Sequence, residues 1–256
     1  MEHTVLITGA TAGFGEATAR RFLANGHKVI ALGRRVERLE ALKVSLPGEQ
    51  QKKLLTLAVD VCDSAKVDGL AATLPPEFAN VTVLVNNAGL ALGLEPAHQA
   101  FLGDWDRMID TNIKGLVHMT RAFLPGMVDR QCGHVINLGS VAANYPYPGG
   151  NVYGGTKAFV QQFSLNLRAD LIGTPVRVTC VEPGMCSGTE FSNVRFKGDD
   201  DKAGKVYSGV KALSADDVAE AIYWSANLPS HVNINSVELM PVQQAFNAFN
   251  VHRGEF

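Results

Sequence analysis

Residues 4–15 read TVLITGATAGFG, an apolar run that leads into three glycines, Gly9, Gly13 and Gly15. A short apolar run bounded by glycine is typical of a buried strand, and the residues after Gly15 follow a helical pattern. Glycine lets the backbone turn tightly and approach a pyrophosphate closely. The N-terminus of the following helix directs unpaired N–H groups and partial positive charge at such an anion. The spacing is GxxxGxG rather than the commoner GxGxxG, and its place between a strand and a helix predicts a dinucleotide-binding turn.

Apolar runs alternate with amphipathic helical patterns along the rest of the chain. Short, nearly continuous apolar strands separated by helices predict a parallel sheet that is covered on both faces. The strand-like runs are residues 5–7, 29–32, 54–59, 81–85, 135–138, 176–181 and 237–240. Because they form one alternating series without a clear boundary, we predict a single α/β domain over residues 1–256, a Rossmann-type, doubly wound parallel sheet of seven strands.

Two stretches interrupt this alternation. Residues 184–211 are polar and follow the sixth strand, at the carboxyl end where open α/β sheets bind ligands. We predict a substrate lid there, with a flexible surface loop as the alternative. The tail, residues 243–256, carries three phenylalanines, and we predict that it docks against the body of the protein or against another subunit.

The bulk composition is that of a globular enzyme rather than of a nucleic-acid-binding or membrane protein. The net charge is −2, with 46% hydrophobic and 19% charged residues, so no long-range field recruits nucleic acid or an anionic membrane. No run of about 20 apolar residues suggests a membrane span, and the N-terminus lacks the pattern of a signal peptide. The four cysteines form no CxxC pair, which argues against a metal site and predicts a reducing, cytoplasmic location.

Two arginines follow the second predicted strand. At this position, dinucleotide sites that prefer NAD carry an Asp or Glu that bonds the ribose hydroxyls, whereas this chain has Gly33-Arg34-Arg35. A carboxylate would repel a 2′-phosphate, and guanidinium groups bind it with paired hydrogen bonds. The pattern predicts NADP(H) as the cofactor, the alternative being that Arg34 and Arg35 only begin a solvated helix.

Tyr153 and Lys157 are four residues apart in a helical stretch, so they share one face of that helix. The ordinary pKa of tyrosine, about 10, is too high for ready proton exchange near neutrality, and a nearby ammonium favours the phenolate. Such a tyrosine can give a proton to an alkoxide or take one from an alcohol. Ser140, thirteen residues earlier at the end of a strand, can polarise the carbonyl oxygen of a substrate.

These motifs together resemble the short-chain dehydrogenase/reductase family, and the resemblance extends over nearly the whole chain. The motifs occur in the family's order: TGxxxGxG at residues 8–15, Asp60, Asn86-Asn87-Ala88-Gly89, Asn112, Ser140, Tyr153, Lys157 and Pro183-Gly184. The resemblance implies an NADP(H)-dependent oxidoreductase that transfers hydride between nicotinamide and a carbonyl or alcohol.

The resemblance also implies individual roles. Tyr153 would be the acid/base, and Lys157 would hold the nicotinamide ribose and lower the pKa of Tyr153. Ser140 would position the substrate oxygen, and Asn112 would anchor a water in the proton relay. Asp60 and Val61 would flank adenine, Asn87 would lie along the cofactor, and Thr189 would bond the carboxamide. The full set of expected cofactor-binding residues is Thr8, Gly9, Thr11, Gly13, Phe14, Gly15, Arg34, Arg35, Asp60, Val61, Asn87, Ala88, Gly89, Tyr153, Lys157, Pro183, Gly184 and Thr189.

Within the family, the chain is similar to bacterial NADP-dependent 3-hydroxy acid dehydrogenases, which are also malonic semialdehyde reductases and L-allo-threonine dehydrogenases, and to sulfoacetaldehyde reductases. This similarity favours a short aldehyde or ketone that bears a carboxylate or sulfonate. Arg195 in the lid and Arg253 in the tail are the candidate anion-binding groups, and Tyr147 is a candidate pocket residue. The alternatives are a broad carbonyl or diketone reductase and, against the intact catalytic residues, a non-catalytic NADP(H)-sensing protein.

Two helical stretches, residues 105–128 and 152–171, carry more apolar residues than one sheet-facing stripe requires. These residues are Met108, Ile109, Leu116, Met119, Phe123 and Met127 in the first stretch, and Phe159, Val160, Phe163, Leu165, Leu167 and Leu171 in the second. The excess predicts burial against a partner, and the resemblance implies pairing of these helices about two-fold axes. We predict a homotetramer.

Overall fold

The structure, a computed structural model, describes residues 2–246, and within them one sheet of seven parallel strands runs in the order β3-β2-β1-β4-β5-β6-β7. The strands are β1 (Thr4–Thr8), β2 (Lys28–Gly33), β3 (Leu54–Ala58), β4 (Val83–Asn86), β5 (His134–Leu138), β6 (Arg177–Pro183) and β7 (Ser236–Leu239). Each predicted strand overlaps an observed one. The predicted fold class, a doubly wound Rossmann-type sheet, is confirmed.

Helices connect successive strands. They are α1 (Gly13–Ala24), α2 (Val36–Val44), α3 (Gly48–Lys52), α4 (Ser64–Asp68), α5 (Leu70–Thr73), α6 (Leu102–Ile109), α7 (Leu116–Asp129), α8 (Asn151–Asp170), α9 (Phe191–Arg195), α10 (Asp200–Lys205) and α11 (Ala215–Ala226). A π-helical turn, Asp110–Gly115, joins α6 to α7. In the described part of the chain, no helix is both long and apolar enough to cross a membrane.

The five inner strands of the sheet are buried on both faces, as their apolar sequences predict, whereas the edge strands β3 and β7 are partly exposed. In β1, Val5 and Ile7 face the core formed with α1, α2 and α11, whereas Leu6 faces the core formed with α4, α5, α7 and α8. Both cores are therefore built from alternate residues of the same strands. The two helical layers fix the positions of the strand ends, where the loops of the site begin.

The strand order reverses between β1 and β4, which are neighbours in the middle of the sheet. The connection after β1 runs toward β2 and β3, and the connection after β4 runs toward β5 and β6. Because these connections leave in opposite directions, a crevice opens at the carboxyl ends of β1 and β4. The glycine-rich turn follows β1 directly and therefore lies in this crevice.

The segment after β6 is partly helical rather than an open loop. Residues 184–211 contain α9 and α10, and a bridge between Cys186 and Leu213 ties the base of the segment back to the body. Gln244, at the start of the tail, accepts a hydrogen bond from the backbone N–H of Met185 at 2.7 Å. Residues 247–256 of the predicted docking tail lie outside the described residues.

The burial of the helix faces shows that one of the two stretches predicted to contact a partner is wrong. In α6 and α7, Met108, Leu116, Met119, Phe123 and Met127 are buried within the chain itself, because they pack in its own apolar clusters. In α8, by contrast, Phe159 and Leu165 remain exposed, at 37% and 45% of their surface. Only the second of the two stretches therefore leaves large apolar side chains for a partner to cover.

Candidate active site

A cavity of about 710 Å³ lies at the carboxyl ends of the strands and holds most of the predicted site residues. Those that line it are Gly9, Thr11, Gly13, Phe14, Arg34, Arg35, Asp60, Val61, Asn87, Ala88, Gly89, Ser140, Tyr147, Tyr153, Lys157, Pro183, Gly184, Thr189 and Arg195. Thr8, Gly15 and Asn112 are placed behind its wall. Arg253 lies outside the described residues.

The glycine-rich turn has the conformation that a phosphate cradle requires. Gly9 and Gly13 have φ angles of 67° and 53°, in the left-handed region that glycine adopts without strain. A Cβ at Gly15 would collide with the carbonyl oxygen of Gly9, so the turn can close only around glycine. The backbone N–H groups at the start of α1 therefore border the cavity without intervening side chains, and the turn fits the pyrophosphate of a dinucleotide.

Thr8 and Asn87 fasten the turn to the neighbouring strand. The hydroxyl of Thr8 accepts hydrogen bonds from the backbone N–H groups of Asn87 and Ala88 at 3.0 and 2.9 Å. The side-chain amide of Asn87 donates to the carbonyl oxygens of Thr8 and Gly9. These contacts hold the ends of β1 and β4 together, so both residues shape the cofactor wall through the backbone.

At one end of the cavity the arginines form pairs with neighbouring side chains. Arg34 lies 3.4 Å from a carboxylate oxygen of Asp60. Arg35 donates to the hydroxyl of Thr11 through Nε and Nη2, at 3.3 and 3.0 Å. Each guanidinium remains about half exposed. Two guanidiniums beside the second strand, with the Thr11 hydroxyl next to one of them, fit the 2′-phosphate of NADP(H).

Asp60 and Val61 lie at the same end. Burial acts to raise the pKa of Asp60, but hydrogen bonding from the Cys62 backbone and the charge of Arg34 outweigh it and hold the pKa below its ordinary value. A Cβ at Gly115 would come within 2.8 Å of the Val61 side chain. The π-helical turn therefore packs directly behind the residue expected to flank adenine.

Tyr153 and Lys157 lie one turn apart on α8, and each exposes less than a tenth of its surface. The Nζ of Lys157 donates to the carbonyl oxygen of Leu138 at 2.7 Å and lies 5.8 Å from the centroid of the Tyr153 ring. Burial raises the pKa of Tyr153 to about 12 and lowers the pKa of Lys157 to about 8.

Ser140 and Arg195 are the principal groups that oppose the effect of burial on Tyr153. A hydrogen bond with the Ser140 hydroxyl and the positive charge of Arg195 both lower the pKa of the phenol. The lowering expected from Lys157 is not among the principal effects here and stays a prediction. Ser140 itself is oriented by the backbone N–H of Ala142, which donates to its hydroxyl at 3.1 Å.

The π-helical turn places Asn112 in the wall behind the catalytic helix. The Asn112 side chain exchanges two hydrogen bonds of 2.9 Å with the backbone of Leu90 and donates to the hydroxyl of Thr156 at 3.0 Å. The widened turn thus connects the loop after β4 to α8. Such turns recur at functional sites, but the sequence predicts only a regular helix at this point.

A buried chain of polar side chains, which the sequence analysis did not identify, holds α8 in position. Asn86 donates to Asn137 and to Thr120, and Asn137 donates to Ser164, all at 2.9 Å. These bonds join β4, β5, α7 and α8 in an otherwise apolar core. The amide nitrogens of both asparagines are satisfied, whereas Oδ1 of Asn86 is buried with no partner within residues 2–246. The bonds between these buried polar groups fix the register of the helix that carries Tyr153.

Arg195, in the predicted lid, lies beside Tyr153, the predicted acid/base. Its guanidinium carbon lies 5.0 Å from the ring centroids of Tyr153 and Phe191 and 5.6 Å from that of Tyr147. Its Nη2 donates to the Tyr147 hydroxyl at 2.7 Å. Its Nε is buried and has no hydrogen-bond partner within residues 2–246, and the Arg195 side chain as a whole lines the cavity.

Comparison with known proteins gives consistent relatives over the whole chain. The family described as short chain dehydrogenase matches residues 3–200. The chain is 64% identical to the NADP-dependent 3-hydroxy acid dehydrogenase YdfG of Salmonella typhi, covering 97% of this chain and 99% of that protein. It is 54% identical to a serine 3-dehydrogenase of Agrobacterium fabrum, covering 99% of each.

A solved structure of serine dehydrogenase, in its closed form with NADP+, superposes with a TM-score of 0.94 at 61% identity, covering 98% of this chain and 99% of that chain. The NADP-dependent relatives and this complex confirm the predicted cofactor, NADP(H).

Replacing Tyr153 with Phe removes the exchangeable proton and keeps the ring that packs on Phe191. We expect turnover of NADPH to fall by about 10²–10⁴-fold, with the dissociation constant for NADPH nearly unchanged. Stopped-flow turnover and fluorescence titration measure the two quantities. Tyr223→Phe, far from the cavity, is the matched control, and a near-normal kcat in Tyr153→Phe would refute the assignment.

Replacing both Arg34 and Arg35 with Gln removes the charged donors expected to bind the 2′-phosphate. We expect KM for NADPH to rise at least about 30-fold, the equivalent of ~2 kcal/mol for lost charge-assisted hydrogen bonds. KM for NADH should change little, so NADH is the internal control. Gly33→Asp is a less clean test, because a Cβ at Gly33 would collide with Thr11. An unchanged KM for NADPH would place the phosphate elsewhere.

Proposed function

Because this chain belongs to the short-chain dehydrogenase family, we propose that it interconverts a short aldehyde or ketone bearing an anionic group and the corresponding hydroxy acid. The coarser activity is established by its relatives: the protein is an NADP-dependent oxidoreductase that acts on hydroxyl groups. Within the proposed class we favour carboxylate-bearing carbonyls, with malonic semialdehyde first and sulfoacetaldehyde as the sulfonate counterpart.

The observation that carries this proposal is the position of Arg195. A guanidinium beside the catalytic Tyr153, stacked among aromatic rings and retaining a buried unpartnered Nε, is a strong recognition site for an oxyanion. A carboxylate or sulfonate on the substrate would give this guanidinium an ionic partner, which a neutral substrate cannot supply. The name of the 3-hydroxy acid dehydrogenase relative adds support for a carboxylate.

The catalytic roles follow from the chemistry of the side chains. When bound, the reduced nicotinamide supplies the hydride to the carbonyl carbon. Tyr153 donates its hydroxyl proton to the carbonyl oxygen, and Ser140 donates a hydrogen bond to the same oxygen. Because burial keeps the pKa of Tyr153 high, the phenol is protonated at neutral pH and ready for reduction. In the reverse reaction, Arg195 and Lys157 favour the phenolate that accepts the proton of the alcohol.

The surrounding residues position these groups. Lys157 would hold the nicotinamide ribose, and Asn112 would anchor a water that passes protons to it. Thr189, which lines the cavity, would bond the carboxamide. Asp60 and Val61 would flank adenine. Tyr147 would help to orient the substrate anion, since its hydroxyl already accepts a hydrogen bond from Arg195.

A broad reductase of neutral ketones or diketones is the second candidate. Apolar and aromatic side chains line part of the cavity wall, among them Leu90, Phe191 and Val194. They favour this candidate because they offer an uncharged contact surface for a neutral substrate. NADPH oxidation with malonic semialdehyde, sulfoacetaldehyde, succinic semialdehyde and diacetyl compares the two candidates directly. A non-catalytic sensor is disfavoured, because Ser140, Tyr153, Lys157 and Asn112 are all present.

We infer a cytoplasmic homotetramer. Four free thiols suit a reducing compartment. Phe159 and Leu165 on α8, together with Ile172 just beyond it at 78% exposure, are exposed apolar side chains that a partner related by a two-fold axis would cover. Light scattering at micromolar concentration should give four times the mass of one chain. Charged replacements of Phe159 and Leu165 should reduce it, and a monomeric mass for the unmodified protein would contradict the proposal.

Replacing Arg195 with Ala tests the anion directly. We expect kcat/KM for an anionic aldehyde to fall about 30-fold or more relative to a neutral aldehyde of the same length, since only the charged substrate loses its ionic partner. Arg195 also affects the pKa of Tyr153, but that effect is common to both substrates. The ratio of the two kcat/KM values therefore isolates anion recognition.

Arg195→Lys is the matched control, because it keeps the charge and should retain part of the preference. Arg253 is the rival anion-binding residue, and truncation after Asn250 tests it. If neither change alters the ratio, the anionic substrate loses its residue-level support and the broad carbonyl reductase becomes the better proposal.

A further inference from the structure

Glu190 binds two arginines that belong to a distant part of the chain. Its carboxylate lies 2.7 Å from Nη1 of Arg35 and 3.2 Å from Nη2 of Arg38. Arg35 directly precedes α2 and Arg38 lies within it, whereas Glu190 directly precedes α9 in the segment after β6. The three side chains therefore join the 2′-phosphate end of the cavity to the lid.

The guanidinium of Arg35 has two different partners, Thr11 and Glu190. Nε and Nη2 point to the hydroxyl of Thr11, and Nη1 points to Glu190. Thr11 and Arg35 both line the cavity, so a bound 2′-phosphate would meet this edge and share its donors with the Thr11 hydroxyl. Arg38 contributes a second positive charge to Glu190, so a phosphate bound to Arg34 and Arg35 would not face an uncompensated carboxylate.

The residues that follow Glu190 contact Tyr153, the proposed acid/base. Phe191, the next residue, packs against the Tyr153 ring at a centroid distance of 5.6 Å. Arg195, at the end of the same short helix, lies over that ring as well. At the far end, Lys197 forms an ion pair with Asp104 on α6 at 2.7 Å, and the carbonyl oxygen of Arg195 accepts from the backbone N–H of Gly93. The segment from Glu190 to Lys197 is thus fastened at both ends.

We propose that Glu190 and Arg38 are positioning residues that couple the 2′-phosphate of the cofactor to the placement of α9 over Tyr153. A phosphate bound at Arg34 and Arg35 orders the guanidinium that Glu190 also uses, so Glu190 meets a partner that has already lost its side-chain freedom. Because such coupling is reciprocal, the position of α9 over Tyr153 also strengthens binding of the phosphate. NADP(H) would then be distinguished from NAD(H) at the substrate pocket as well as at the adenosine end.

The coupling between phosphate binding and the placement of α9 is limited in size, because the side chains that carry it are exposed to solvent. The side chains of Arg35, Arg38 and Glu190 expose 40–57% of their surface, so the ion pairs are partly screened by salt. We expect a coupling of about fivefold, at the low end of the usual range, and a smaller value at high ionic strength.

The test uses limited proteolysis with trypsin, because Arg195 and Lys197 are cleavage sites within the fastened segment. The probe is adenosine 2′,5′-bisphosphate, which carries the 2′-phosphate and lacks both nicotinamide and substrate, and adenosine 5′-monophosphate is the comparison ligand. Each is used at saturation, with its dissociation constant measured calorimetrically for every variant. In the unmodified protein we expect the bisphosphate to slow cleavage at these sites about fivefold and the monophosphate to have little effect.

Glu190→Gln and Arg38→Gln should each abolish the difference between the two ligands, and the double variant should add little to either single change. Glu37 is an exposed residue on α2, next to Arg38. Glu37→Gln removes one negative charge, as Glu190→Gln does, and should keep the full difference in protection between the two ligands. Equal protection by both ligands in the unmodified protein, protection by neither, or undiminished protection in Glu190→Gln would overturn the proposal. The result does not depend on which carbonyl compound the enzyme reduces, so it is separable from the proposed function.

Discussion

Two ionisable side chains, Tyr153 and Lys157, are held almost completely out of water on one turn of α8, and the rest of the site depends on this constraint. Burial favours the uncharged form of each group, so the tyrosine remains a proton donor across the neutral range. Turning that donor into an acceptor requires nearby positive charge and hydrogen bonds. Ser140 supplies the hydrogen bond and Arg195 part of the charge. The segment after β6 therefore affects the ionisation of Tyr153, in addition to the part in substrate recognition proposed for Arg195.

Much of the fold and of the cofactor site could be predicted because the signals are local in sequence. The glycine-rich turn lies within residues 4–15, Arg34 and Arg35 directly follow a strand, and Tyr153 and Lys157 share one helical face. The alternation of apolar strands with helices determines that these local features meet, since all carboxyl ends of a parallel sheet lie at one edge. The predicted placement of Arg195 near the chemistry relied on the same rule, applied to the segment after β6.

The remaining features depend on contacts between residues far apart in the chain. Glu190 reaches Arg38 across 152 positions, and no pattern around either residue indicates the pair. The π-helical turn that brings Asn112 to Thr156 looks like ordinary helix in sequence. For the same reason periodicity predicts a surface for a partner on α7, which is wrong for Met119, Phe123 and Met127, because these residues face the chain's own core.

The ionisation of Tyr153 in the cofactor-free protein tests the account most directly. Ultraviolet absorbance of phenolate, recorded after rapid pH jumps for the unmodified protein and for Tyr153→Phe, gives the titration of this one residue as a difference. Because Tyr153 is buried, we expect it to titrate with a pKa of about 12, and we expect Arg195→Ala to move the titration to still higher pH. A midpoint at or below the ordinary tyrosine value of about 10, unaffected by Arg195, would contradict it.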